Sequence, residues 1–281
     1  MKIGLLVDIK DNFEEKIRHA KSLGFDFGQL VIWDMDFYTD DNLYSLKKLL
    51  SELNFTVTDI WCGWSEPVVW KHPDKYTTLG LVPREYRAKR LDELRRGAKF
   101  AYDLGVKNII SHTGYIPDDP SAEAHIGVVE SLKILCSELK DRGQTFSFET
   151  GEELPLTLSI MMGEIGLDNV GVNFDPANLV SSGRANPCDA MELLGCRVTG
   201  FHAKDAIPPK FGDFGGKQTP IGEGSVDFEK LLHQLKSLGY SGDIVIEHEM
   251  YSRPDRDGDI LKSKQYLEAL IEKVFGKTGG N

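Results

Sequence analysis

Cysteine is sparse in this sequence, and Cys62, Cys136, Cys188 and Cys196 contain no Cys-x-x-Cys spacing. That excludes a disulfide-built scaffold and a cysteine knuckle for zinc, and a reducing cytoplasm is the expected setting. Cys62 alone falls near an expected strand end, where it reads as a small buried filler. Basic charge is also short: 33 Lys and Arg against 44 Asp and Glu leave a net charge of −11. An acidic surface repels nucleic acid and anionic membrane, so neither is expected as a partner. No apolar run approaches the ~20 residues that a membrane-spanning helix needs. The opening MKIGLLVDIKDNFEEK turns charged too soon for a leader segment and reads as a first buried strand. The first strand-to-helix turn, within VDIKDNFEEK, has no glycine, which counts against an open doubly wound sheet with a dinucleotide fingerprint.

What is present can build a sizeable core under a soluble surface, since 41% of the 281 residues are hydrophobic and 27% are charged. One pattern recurs: an amphipathic helix, a Gly or Asn where it stops, then a short apolar strand. Its stop residues are Gly24, Asn54, Gly105, Gly143, Gly166, Gly195 and Gly239. These residue types tolerate the left-handed conformation that closes a helix. With Lys2 to Ile9 as an opening strand, seven such junctions make eight strands, and ILKSKQYLEALIEKVF supplies the last helix. Eight strands alternating with eight helices predict a single α/β domain over residues 1–281, a (β/α)₈ TIM barrel, with a frayed tail at about residues 276–281. Helix-to-strand connections are tight. Two strand-to-helix connections are long, Ser65 to Val82 and Ala203 to Val226, and both belong at the barrel end where strands finish, which predicts a covered pocket there.

Four successive strands close on a metal-ligand type: TFSFE on Glu149, GVNFD on Asp175, VTGFH on His202 and DIVIE on Glu247. Any one such acid also reads as a helix cap or a solvated loop residue. Three carboxylates and an imidazole at the water-poor end of a barrel, however, are costly to keep ionised unless a cation pairs with them. The oxygen-rich set with one nitrogen suits Mn²⁺, Mg²⁺ or Co²⁺, with Zn²⁺ also compatible. Glu149 and Glu247 stand on non-neighbouring strands, so they can approach one substrate carbon from two sides. A bound cation would stabilise an enediolate while one glutamate removes a proton and the other returns one.

Nearby residues fill in the pocket. His112 ends strand four and is a candidate for substrate contact, as are Asn178 and Lys204. Trp61 and Trp64, with Trp33, can stack on the apolar face of a sugar ring or simply fill the barrel mouth. Strand alternation turns Glu247 and Glu249 inward and His248 outward. His19, His125 and His233 fall on helices and read as surface residues. Arg84, Arg87, Lys204, Lys210 and Lys217 are candidate anion contacts or solvated loop charges.

As a set, FET at Phe148 to Thr150, NFDPANL at Asn173 to Leu179, FHAKD at Phe201 to Asp205, and PIGEGSVDF with LGYSGDIVIEHE resemble the sugar phosphate isomerase/epimerase family built on the xylose isomerase-like TIM barrel. GLVPREYR and ISHTGYIPDD are similar to its middle section, so the resemblance covers almost the whole chain. It implies a divalent metal on Glu149, Asp175, His202 and Glu247, a sugar or sugar phosphate substrate, and proton exchange by Glu149 and Glu247. The chain departs from ketose epimerases three residues after Asp175, where they often carry a substrate-binding histidine and this sequence has Asn178. Alternative readings are a metal-dependent dehydratase of a keto-inositol or related polyol, a non-catalytic sugar-binding protein, and an abasic-site endonuclease, the last opposed by Asn178 and by the acidic surface. A homodimer or homotetramer is expected.

Overall fold

Short apolar runs between left-handed helix stops leave a chain little choice but strands buried on both faces, as a parallel sheet covered by helices requires. The computed structural model describes residues 1–276. Its barrel strands are β1 (Ile3–Asp8), β2 (Phe27–Ile32), β3 (Thr56–Cys62), β4 (Asn108–Ser111), β5 (Thr145–Glu149), β6 (Val170–Phe174) and β7 (Val198–Ala203). A hairpin of β8 (Asp205–Ile207) and β9 (Lys217–Thr219) follows, and β10 (Ile244–Ile246) closes the barrel between β7 and β1. All eight pairings around the barrel are parallel. The architecture is therefore the expected single (β/α)₈ barrel. The expected frayed tail lies, from residue 277 on, outside the described residues.

The helices are α1 (Phe13–Ser22), α2 (Asp40–Leu53), α3 (Lys75–Thr78), α4 (Arg84–Leu104), α5 (Glu123–Asp141), α6 (Pro155–Ile165), α7 (Pro176–Ser182), α8 (Pro187–Leu194), α9 (Phe228–Ser237) and α10 (Arg256–Phe275). Six of the seven expected stop residues are left-handed, from Asn54 at φ 48° to Gly105 at φ 94°. Gly195 is the exception, with right-handed φ −58°. Its side of the chain has no room instead: a Cβ there would meet Leu238 Cδ1 at 2.4 Å.

Alternation divides each strand between two environments. Phe146, Phe148, Phe174, Phe201, Ile244 and Ile246 pack outward against the helices in the main core. The intervening positions face the barrel axis, where Ser147, Glu149, Asn173, His202 and Glu247 are all buried. A separate apolar cluster of Val31, Trp61, Trp64, Leu79, Ile110 and Tyr115 fills one side of the mouth.

The two long loops are built rather than loose. Arg90, only 1% exposed, donates to the carbonyls of Thr78, Gly80, Ser65 and Pro67 and so ties the β3–α4 loop to α4. Arg87 does the same through the carbonyls of Leu81 and Val82, both at 2.8 Å. Its Nη1 donates to Glu123 Oε1 at 3.3 Å, so Arg87, read as an anion contact or a solvated loop charge, is instead held by two carbonyls and a carboxylate of its own chain. The β8–β9 hairpin reaches across so that Phe214 stacks on His72 of the β3–α4 loop, centroids 4.7 Å apart. His125 also departs from expectation. It is 1% exposed, and its ring nitrogens lie 2.9 Å from the Pro117 carbonyl and 2.7 Å from Glu164 Oε2, joining the β4–α5 loop to α6.

Adding a methyl group tests which glycines the barrel needs. A Cβ on Gly28 would sit 2.1 Å from the Leu5 carbonyl oxygen, which is backbone and cannot rotate away. Gly28→Ala is expected to cost about 3 kcal/mol in urea unfolding. Gly143→Ala, left-handed but facing open space, should cost about 1 kcal/mol. Equal losses would mean that the β1–β2 approach does not constrain the fold.

Candidate metal centre

Where the strands end, the chain turns polar side chains onto the barrel axis, and the structure brings the four expected ligands together. One ligand atom from each of Glu149, Asp175, His202 and Glu247 lies within 4.8 Å of the others, and all four residues are buried. His202 stands at the centre. Its Nδ1 is 2.9 Å from Glu149 Oε1 and 2.7 Å from Glu247 Oε2. Nε2 points the other way, 2.6 Å from Gln29 Oε1.

Asp175 divides its two oxygens between two duties. Oδ1 caps α7, accepting from Ala177 N at 2.8 Å and Asn178 N at 3.0 Å, with Pro176 at the first helical position. Oδ2 has no hydrogen-bond partner although it is buried. The cap and the ligand readings thus hold for the same residue, one oxygen each. Glu247 Oε2 is likewise buried, and it faces His202 Nδ1 at 2.7 Å.

Charge is unbalanced in this cluster. Burial alone would raise the Glu149 carboxyl, but His112 and His202 pull it below the ordinary range. Burial would raise Glu247 too, and Lys204 and His202 bring it well below. Asp175 is pushed well above the usual carboxylate range by burial, with Glu247 and Glu149 adding repulsion that Lys204 only partly offsets. Burial opposes charge on His202, yet Glu149 and Glu247 raise it well above an ordinary histidine. Without a further cation, protons must supply the missing positive charge.

A divalent cation fits this requirement on four counts: a buried Asp175 oxygen with no hydrogen bond, an imidazole nitrogen between two carboxylates, three hard oxygen donors, and burial that strengthens every pairing. This buried Glu/Asp/His group could bind a metal.

Around the centre, the other expected residues take definite places. His112 Nε2 lies 3.4 Å from Glu149 Oε2, and Trp61 Nε1 donates to the same oxygen. Lys204 Nζ is 2.9 Å from Glu247 Oε1, 2.5 Å from Glu249 Oε2 and 3.6 Å from Asp175 Oδ2, which bears out the inward turn of Glu249. Asn178 Nδ2 donates to the Thr150 carbonyl at 3.2 Å. Trp64 is 3% exposed and packs against Trp33 and Trp61 at 5.3 and 5.9 Å. His248 points away from the centre, buried, with Nε2 3.7 Å from Asp259 Oδ2 and neither ring nitrogen hydrogen-bonded. Arg84, Lys210 and Lys217 are exposed.

Several residues escaped the sequence reading. Trp70 completes an aromatic wall, its ring centroid 5.3 Å from that of His112. Lys75 and Arg184 flank the Tyr115 ring at 4.8 and 5.3 Å. Gln29 and Asp59 form a buried pair behind His202, and their only sequence signal was a polar residue inside an apolar strand. Burial raises the Asp59 carboxyl, while donors from Asn108, Thr58 and Gln29 pull back against it.

Comparison with known proteins places these features in a family context. A family model described as xylose isomerase-like TIM barrel matches residues 17–270. Among curated proteins, L-ribulose-5-phosphate 3-epimerase UlaE of Shigella boydii serotype 18 is 26% identical over 272 residues, covering 92% of this chain and 90% of that protein. Among solved structures, a xylose isomerase domain protein from Planctomyces limnophilus superposes with a TM-score of 0.91 at 27% identity, covering 97% of this chain and 98% of the other. A xylose isomerase-like TIM barrel protein from Mycobacterium smegmatis in complex with magnesium shares the fold, with a TM-score of 0.71 at 17% identity over 93% of this chain and 89% of that one.

Behind Glu149, the β5–α6 loop buries Glu153, and loss of hydration pushes its carboxyl up to about 8, with Glu152 adding repulsion. The folded state therefore holds this proton more tightly than the unfolded chain does. Stability is lost as pH rises from the ordinary glutamate range towards 8, on the order of 1 kcal/mol per pH unit. Glu153→Gln should abolish that loss, making the variant more stable than wild type at pH 8 and no different near pH 4. Urea unfolding across that range checks it, and parallel curves for the two proteins would refute it.

Proposed function

We propose that this chain, which belongs to the xylose isomerase-like TIM barrel family, is a divalent-cation-dependent epimerase or isomerase of a ketose or ketose phosphate. The observation that carries this reading is the approach of two glutamates, from non-adjacent strands, to one imidazole nitrogen at the open end of the barrel. The name of the curated relative, an L-ribulose-5-phosphate 3-epimerase, supports the reaction class and a sugar or sugar phosphate as substrate. The magnesium complex of the Mycobacterium smegmatis protein supports a divalent ion, with Mn²⁺, Mg²⁺ and Co²⁺ the best match to the donors and Zn²⁺ compatible.

Glu149, Asp175, His202 and Glu247 would hold the ion. When bound, it supplies charge that stabilises the enediolate formed as the carbon beside a carbonyl loses its proton. The proton itself is handled by the chain. Cationic neighbours lower both carboxyls, Glu149 and Glu247, so either can serve as the ionised base, and turnover requires the other to carry a proton taken from solvent. They enter the site from opposite sides of β6 and β7, so one takes the proton from one face of the substrate and the other returns a proton to the opposite face. Inversion of a carbinol carbon follows from that placement. Trp61 and His112 hold the Oε2 oxygen of Glu149, and Lys204 holds Oε1 of Glu247, which fixes both carboxylates against rotation.

The wall of Trp33, Trp61, Trp64 and Trp70 offers aromatic faces to the apolar side of a sugar. His112, Asn178 and Lys204 are the polar contacts nearest that wall and the ligands. The stacked His72 and Phe214 bridge the two loops over the mouth and would limit water entry. Among the described residues, no helix is long and apolar enough to cross a membrane. Three of the four free cysteines are buried, which suits a reducing compartment.

The deciding experiment is incubation of Mn²⁺-loaded protein with a panel of ketoses and ketose phosphates in deuterated water. One carbon-bound hydrogen should exchange as the epimer or isomer appears. Glu149→Gln and Glu247→Gln should each lower kcat by about 10²–10⁴. Accumulation of an ultraviolet-absorbing unsaturated product would point to a dehydratase instead. Metal-loaded protein that exchanges nothing across the panel would overturn the enzyme reading.

A further inference from the structure

Beneath the candidate centre, a chain of polar side chains crosses the barrel interior where apolar layers normally pack. Asp59 accepts on both oxygens, from Gln29 Nε2 at 3.1 Å and from Asn108 Nδ2 at 2.6 Å. Asn108 Oδ1 in turn accepts from Ser147 Oγ at 2.7 Å. Gln29 is 1% exposed and Asp59 9%, so water cannot substitute for these partners.

The direction of this chain has a consequence at His202. A carboxylate can only accept, so the Gln29 amide must present its NH₂ to Asp59 and its oxygen to the other side. That oxygen lies 2.6 Å from His202 Nε2 and also can only accept. Nε2 therefore carries the hydrogen. In a neutral imidazole the remaining nitrogen, Nδ1, is then a bare lone pair, aimed between Glu149 Oε1 and Glu247 Oε2 at 2.9 and 2.7 Å. A lone pair facing two carboxylates is repulsive unless a proton or a metal cation lies between them.

We propose that Gln29, locked in orientation by Asp59, is a positioning residue that fixes His202 as the Nε2-protonated tautomer, so that Nδ1 is the atom that receives the divalent cation. This inference rests on the metal-dependent reading above. A carboxylate directly on Nε2 would also select this tautomer, but it would add negative charge beside three carboxylates. Gln29 passes on the orienting effect of Asp59 and keeps its charge one side chain away.

Two measurements on the full-length protein test this. The first is Mn²⁺ affinity, read from the electron paramagnetic resonance signal of the free ion. Gln29→Leu, which has no acceptor, should bind Mn²⁺ about 10–100-fold more weakly than wild type. The double variant Gln29→Glu with Asp59→Asn restores an acceptor held by an amide donor, and should recover affinity to within a few fold of wild type. Wild-type affinity in Gln29→Leu, or no recovery in the double variant, would overturn the proposal while leaving metal binding intact. No Mn²⁺ binding by wild type would overturn the metal reading and this inference with it. The second measurement needs no variant that must fold. In the Zn²⁺-loaded wild type, ¹⁵N nuclear magnetic resonance of the His202 ring should show hydrogen on Nε2 and the metal on Nδ1. Hydrogen on Nδ1 would refute the assignment.

Discussion

Three carboxylates and one imidazole share the dry end of this barrel, and their mutual repulsion is the constraint to which the surrounding structure answers. Ionised groups a few ångströms apart and screened from water cannot all keep their charge unless opposite charge is brought among them. Lys204 brings one positive charge, to the Glu247 side. Asp175 spends one oxygen on a helix cap and leaves the other without a hydrogen bond, 3.6 Å from Lys204 Nζ. The deficit that remains could be met by a metal ion, for which this buried Glu/Asp/His group offers the donors.

The layers around the centre divide the work of holding it. Outward-facing phenylalanines fasten the strands to the helices, and the inward face is left to polar groups. Along that inward face the Gln29, Asp59 and Asn108 chain orients the imidazole from below, while Trp61 and His112 fix one glutamate from the side. Buried arginines convert the β3–α4 loop from a flexible span into a wall, using backbone carbonyls as anchors. In the proposed reaction, preorganisation of this kind would let two carboxylates address one carbon without rearranging as charge develops.

Much of this was legible in the chain because barrel geometry repeats. Helix stops at Gly24, Asn54 and Gly105 and the ligand types at four consecutive strand ends are local signals, each readable within a few residues. Gly195 was a stop for a different reason, a close approach by Leu238 that no local pattern encodes. His125 looked like a surface residue because its helix is amphipathic, yet the loop leading into that helix and Glu164 of α6 close over it. Arg87 looked like an anion contact for the same reason: a guanidinium beside a pocket and one that staples a loop are indistinguishable until the partner carbonyls are located.

By itself, then, the sequence determined the eight barrel strands and the four polar residues at successive strand ends, though not the β8–β9 hairpin, because hydrophobic period and helix-stop chemistry are properties of neighbouring residues. Only the tertiary structure decided which oxygen of Asp175 is free, which nitrogen of His202 faces the carboxylates, and that Gln29 and Asp59 stand behind it. Those are matters of direction across the barrel, set where strands far apart in the chain meet, and a side chain's type says nothing of which way its atoms point.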